Sequence, residues 1–201
     1  MDLAFKQIMY MSTKTIRINI HRQFFLEVPP NIVNNTIVKP SSDKKTQIES
    51  VNNMIRDNNY RYIICSDGST LKVDQESCGK SGAAAVIYDN NLLNDPVMLK
   101  RDLGTQSNNY VAELVGINIG LKYLESCIET GSALFLVDCL PALNSSFSSK
   151  IGKTYTNEVA QNVLLTRQLL EKGWEIEATW MPGHEGFQAN ELADKLAKEV
   201  T

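Results

Sequence analysis

Four carboxylates stand in four separate local contexts: Asp67 in Ser66-Asp67-Gly68-Ser69, Glu113 opening an apolar-striped helix, Asp138 just after an apolar run at 133–137, and Asp194 inside a C-terminal helical pattern. Hard oxygen ligands of this kind suit magnesium, which keeps part of its water shell and needs only a few acids from a protein. Acids converging from different elements could hold two divalent ions for an in-line displacement at phosphorus. Each acid also has a plainer reading. Asp-Gly after a strand is commonly a turn, a Glu near a helix start complements the helix dipole, an Asp beyond a strand can cap a helix, and Asp194 could lie on a solvated face. What sets the four apart is their company, above all Trp180-Met181-Pro182-Gly183-His184-Glu185-Gly186 followed by Asn190 and Asp194.

The elements that must position these acids follow from periodicity. Short β-rich runs at 61–66, 82–88 and 96–103, separated by polar turns, predict an antiparallel meander. Glu113, Gly116, Ile117, Gly120, Leu121 and Leu124 recur at helical spacing, which puts Glu113 at the head of a buried stripe. Gly116 and Gly120 take bulk off that face, so the helix can approach the sheet closely. The apolar run 133–137 then predicts a strand reached by a right-handed crossover, giving a mixed sheet, with Asp138 at its carboxyl end, where open α/β sheets bind ligands. A short turn or helix at 141–147, a longer helix from about 155 to 171 and a strand at 174–180 complete the sheet. Ala189, Leu192, Ala193, Leu196, Ala197 and Val200 stripe a terminal helix, with Asn190 and Asp194 one turn apart beside the stripe.

Residues 1–58 lack sustained periodicity. Residues 17–26 could form a short strand, and the prolines at 29, 30 and 40 favour an extended linker. This segment carries eight Lys or Arg against five Asp or Glu up to residue 59, whereas residues 60–201 carry twelve against eighteen. The basic segment could add phosphate contacts or be a solvated linker. Asp2, Lys6, Lys14 and Arg17 break any signal or membrane-spanning core at the start, so an intracellular protein, or part of one, is expected. Cys65, Cys78, Cys127 and Cys139 show no close Cys-x-x-Cys pair, so neither zinc site nor disulfide framework is suggested.

In their order, Asp67-Gly68-Ser69, Ala112-Glu113-Leu114, Asp138, and the block running from Trp180 through Asn190-Glu191-Leu192-Ala193-Asp194 to Ala197 resemble type 1 ribonuclease H. The resemblance is nearest in character to the ribonuclease H domains of non-LTR retrotransposon polyproteins, and it covers roughly residues 60–201. It implies a domain at 59–201, with 1–58 as a poorly ordered extension or linker, and an α/β ribonuclease H-like fold with a five-stranded mixed sheet in the order 3-2-1-4-5, flanked by helices. It also implies a monomeric endonuclease that hydrolyses the RNA strand of RNA-DNA hybrids with two Mg2+ ions, for which Mn2+ could substitute. A reverse transcriptase domain in a parent polyprotein would be a second partner; no membrane is involved.

On the same resemblance, Asp67 and Asp138 bridge or flank the ions, Glu113 and Asp194 complete the coordination, and His184 serves proton transfer and product release. Family members carry Thr-Asn-Asn ahead of the helix Glu, with the second Asn three residues before it. Here Asn109 is four residues before Glu113 and Tyr110 takes the family position. Asn109, Tyr110 and Asn190, with backbone groups of Gly68 and Ser69 directed at the 2′-hydroxyl, form the implied substrate set. The stretch 144–162 holds only Lys150 and Lys153 as basic residues, so it lacks the dense basic helix of some cellular members.

Other chemistries fail. Gly79-Lys80-Ser81 and Gly152-Lys153-Thr154 end like a phosphate loop, but the Gly needed five residues earlier is Asp74 or Phe147. With only His21 and His184, neither a histidine-rich zinc centre nor a Ser-His-Asp arrangement has a companion motif. A catalytically silent hybrid-binding or scaffold domain is the alternative from another class, and a deoxyribonuclease or 3′ exonuclease of the same fold is a third.

Overall fold

The computed structural model describes residues 36–41, 43–57, 59–71, 79–90, 95–105, 107–147, 157–183 and 185–201. Within these, strands β1 (Ile37–Val38), β2 (Tyr62–Thr70), β3 (Ser81–Asp89), β4 (Val97–Gly104), β5 (Ser132–Val137) and β6 (Glu175–Trp180) form one mixed sheet in the order β1-β6-β5-β2-β3-β4. The helices are α1 (Lys44–Asp57), α2 (Asn109–Ser126), α3 (Leu140–Phe147), α4 (Asn157–Glu171) and α5 (Gln188–Lys198). β2, β3 and β4 make the expected antiparallel meander, and β5 and β6 join β2 in parallel. The expected five-strand order is present, and β1 adds a sixth strand beside β6.

Period-2 alternation divides the sheet between two cores. Tyr62, Ile64, Ala85, Ile87, Ala133, Phe135 and Val137 face α2, α3 and α4. Ile63, Cys65, Ala84, Val86, Leu134 and Leu136 share the other core with Val51 of α1 and Ala193, Leu196 and Ala197 of α5. α2 is buried almost all round in its first half, because α3 and α4 cover the side turned away from the sheet. There the buried Asn118 donates to Asn162, which in turn donates to Ser146 and to the Leu114 carbonyl. Phe135 and Phe147, with ring centroids 5.1 Å apart, tie β5 to α3.

Two expectations change. β2 does not stop at a turn after residue 66: it runs through Asp67, Gly68 and Ser69, which pair with Ala84, Ala83 and Gly82 of β3. And the described part of the expected linker, residues 36–57, is built into the fold. β1 pairs with β6, and α1 buries Gln47 and Val51. Its helical spacing is obscured in the sequence by polar neighbours such as Asn52 and Asn53. The strand considered at 17–26 lies outside the described residues, as does Cys78.

Candidate active site

Parallel pairing of β2 with β5 sets Ser66 opposite Val137, so Asp67 and Asp138 emerge side by side where β5 ends. Glu113 reaches them from α2. The helix comes that close because Gly68 has no side chain: a Cβ there would lie 2.8 Å from the Glu113 Cα and nearer still to the Glu113 amide nitrogen and Ala112 carbonyl carbon. Gly116, one turn on, repeats the device against the carbonyl oxygen of Asp67, 2.8 Å from where its Cβ would be. As a result, carboxylate oxygens of Asp67, Glu113 and Asp138 all lie within 4.8 Å of one another.

This arrangement is electrostatically costly. Asp67 and Glu113 are only 5% and 6% exposed. Burial, then repulsion from Asp138 and Asp194, lifts the Asp67 carboxyl to about 8. Burial, then repulsion from Asp67 and Asp138, lifts Glu113 to about 9. The Gly68 amide, donating toward both carboxyls, and the nearby Lys198 beside Asp67 offset part of this. Asp67 Oδ2 and Glu113 Oε2 are buried and have no hydrogen-bond partner among the described residues. Buried polar oxygens normally find one. Two orphaned carboxylate oxygens beside a third carboxylate are a donor set that fits a hard divalent cation.

Asp138 is held from several sides. Its carbonyl accepts the Trp180 indole N–H at 2.8 Å, and the Met181 amide donates to Val137 at 2.9 Å. Asn190 donates to its Oδ2 at 3.4 Å. A Cβ on Gly183 would stand 2.8 Å from that same oxygen, so the turn after Pro182 passes directly over the carboxylate. Asp194 stands outside the group of three. It is ion-paired with Lys198, four residues on, at 2.7 Å. Its charge is still felt by Asp67.

Among the remaining implied residues, Asn109 Nδ2 lies 3.5 Å from Glu113 Oε1. Tyr110 is half-buried against the core, and its hydroxyl is 2.8 Å from Ser145 Oγ. Ser69 is buried. Asn108, just ahead of Asn109, caps α2 by accepting the Val111 amide. His184 lies outside the described residues. Sequence reading missed Lys198, which its i+4 spacing from Asp194 could have suggested, and the Trp180 indole bond. It also missed Gln47, for which no motif gave a signal.

The sequence model of the RNase H family matches residues 59–201. No curated protein matches the chain in sequence. Similar solved structures include the N-terminal RNase H domain of rv2228c from Mycobacterium tuberculosis, solved as a fusion with maltose binding protein, at 20% identity and TM-score 0.53, covering 71% of this chain and 96% of that one. The PFV RNase H domain is similar at 18% identity and TM-score 0.57, covering 72% and 96%. LC11-RNase H1, solved in complex with an RNA/DNA hybrid, is similar at 15% identity and TM-score 0.50, covering 69% and 98%. These likenesses agree with the observed fold, and the family match over residues 59–201 shows that the chain belongs to the type 1 ribonuclease H family.

Proposed function

We propose that this chain is an endonuclease that hydrolyses the RNA strand of RNA-DNA hybrids, with two divalent cations, Mg2+ or in its place Mn2+, held by Asp67, Glu113 and Asp138 and joined by Asp194. The observation that carries this reading is the pair of buried, partnerless oxygens on Asp67 and Glu113 beside Asp138. Bound cations would make water a nucleophile near neutral pH and offset charge developing on the phosphate.

The chain's own residues supply the rest. Asp67 and Glu113 hold protons at neutral pH in the raised state described above, and must release them to act as ligands. Asn190 and the Trp180 indole fix Asp138 from its side chain and main chain respectively. Asn109, beside Glu113, is set to meet the ribose, and the 2′-hydroxyl would distinguish RNA from DNA. His184 is assigned proton transfer and product release, since histidine changes charge near neutral pH. The family membership and the hybrid-bound state of LC11-RNase H1 support the substrate class.

The deciding experiment is cleavage with Mg2+ of matched hybrid, double-stranded RNA and double-stranded DNA. Hybrid alone should be cut, in its RNA strand. Asp138→Asn, nearly isosteric but uncharged, should keep the fold and hybrid binding and lose nearly all cleavage. Normal turnover by that variant would sink the assignment.

A further inference from the structure

We propose that Gln47, which lies ahead of the segment matched by the family model, is a positioning residue of the acidic site. It acts by holding the end of β6, and through Trp180 the main chain of Asp138. Its metal-affinity part rests on the cation site proposed above, and its kinetic part on the hydrolytic reading.

At the edge of the sheet, β1 pairs with β6 for two residues, Ile37 with Ala178 and Val38 with Thr179, and the Thr36 carbonyl accepts the Ala178 amide at 2.7 Å. After Val38 the strand leaves the sheet, and the next peptide of β6 belongs to Trp180. Its carbonyl is met by a side chain instead: Gln47 Nε2 donates to the Trp180 oxygen at 2.6 Å and to Thr179 Oγ1 at 3.2 Å. The other end of the same carboxamide, Oε1, accepts the Ser41 amide at 2.7 Å. Gln47 is 2% exposed, so its amide replaces a missing ladder rung where water has little access.

What that rung fixes bears on the site. The residue whose carbonyl Gln47 holds is the one whose indole holds the Asp138 carbonyl, and the next amide, of Met181, bonds Val137. Two residues further on, Gly183 lies against the Asp138 carboxylate. Gln47 therefore braces, from the far edge of β6, the strand end that Asp138 leans on. Groups one step removed from metal ligands orient them, and their loss commonly costs 10- to 100-fold in metal affinity or activity. The exposed Lys44 to Glu185 ion pair at 3.1 Å joins the same helix to the following loop, but its two side chains are 66% and 39% exposed and screened by water.

The test compares full-length chain, Gln47→Met, Gln47→Glu and Lys44→Ala. Gln47→Met removes the carboxamide at similar length. Gln47→Glu is nearly isosteric, keeps an acceptor for Ser41 and loses the donor to Trp180; it carries the comparison if the Met variant does not fold. Calorimetric titration with Mn2+ gives metal affinity independently of turnover, and steady-state kinetics on hybrid separate kcat from KM. Both Gln47 variants should bind Mn2+ about tenfold more weakly. Their kcat should fall about tenfold with KM within about twofold, while Lys44→Ala stays within about twofold throughout. A lower melting temperature with unchanged Mn2+ affinity and kcat would make Gln47 merely structural and overturn the proposal. So would a Lys44→Ala effect as large as that of Gln47. If the unmutated chain binds Mn2+ but cuts no hybrid, the hydrolytic reading fails while the weaker Mn2+ binding of the Gln47 variants still supports the positioning role.

Discussion

Gly68→Ala should disable the site without removing any carboxylate. The added Cβ would stand 2.8 Å from the Glu113 Cα, where ordinary contact begins near 3.4 Å, and closer still to the Glu113 nitrogen and Ala112 carbonyl carbon. All three are main-chain atoms of α2, so no rotamer change relieves the overlap. The helix must back away from β2 by roughly 1 Å, and misplacements of that size cost on the order of 10²-fold in rate. Overpacking of a close-fitting interior costs about 1 to 3 kcal/mol, and for a domain of this size each kcal/mol lowers Tm by roughly 2 to 4 °C. Gly104→Ala is the control. Gly104 has φ +66 and no atom within 4 Å of where a Cβ would stand, so its replacement strains only the backbone, for about 1 kcal/mol. The assay is kcat on hybrid at saturating Mg2+, with thermal melts in parallel. Gly68→Ala should lose about a hundredfold in kcat while Gly104→Ala loses stability alone. Equal kcat for Gly68→Ala and the unmutated chain would refute the claim that this contact sets the distance between Glu113 and Asp67.

Three further outcomes are expected. On the proposed reading His184→Ala should be slower by about 10²-fold yet alive; an undiminished rate from about pH 6 to 9 would remove His184 from the reaction. Without divalent ions, the folded chain keeps protons on Asp67 and Glu113 up to about 8 and 9, whereas the unfolded chain releases them near the usual carboxylate range. Stability is thus favoured at low pH and lost as pH rises through those folded values, so melts in EDTA should fall in Tm over that window and melts in saturating Mg2+ should fall less. Parallel curves would contradict it. Deleting residues 1–58 removes β1 from the sheet and α1 from the core it shares, so the truncated chain should melt lower than the full chain; equal melting temperatures would mean that burial of Gln47 and Val51 contributes nothing.

The legible parts of the fold are those with dense, regular patterning. The stripe from Glu113 to Leu124 and the stripe from Ala189 to Ala197 each give one helix face enough apolar residues to be seen without tertiary information. The run 133–137 reads as a buried strand for the same reason. The convergence of Asp67, Glu113 and Asp138 was legible because each sits beside a regular element. α1 was not: its buried face is Gln47, Val51, Met54 and Ile55, and a polar anchor in place of an apolar one erases the stripe. β1 is two residues long, too short for any alternation. The continuation of β2 through Asp67-Gly68 was hidden by local preference. Asp-Gly favours a turn, and only the pairing with Ala83 and Ala84 overrides it, leaving Gly68 needed for closeness to α2 rather than for chain reversal.

That override bears on how three carboxyl groups stay together. Repulsion pushes Asp67, Glu113 and Asp138 apart as they ionise, and the Glu113 carboxyl is itself met only weakly, by the Gly68 amide and by Asn109 at 3.5 Å. The restraint comes from elsewhere on α2, where Leu114, Ile117, Leu121 and Leu124 are fully buried, each worth about 1.5 to 3 kcal/mol. Asn162 adds a bond to the Leu114 carbonyl. The helix is therefore locked to the sheet along its length, and Glu113 is carried into the cluster as part of a rigid body. Substitutions in that core should loosen the whole helix and lower stability before they alter the chemistry. Changes at Gly68, where helix and strand touch beside the acids, should act in the opposite order.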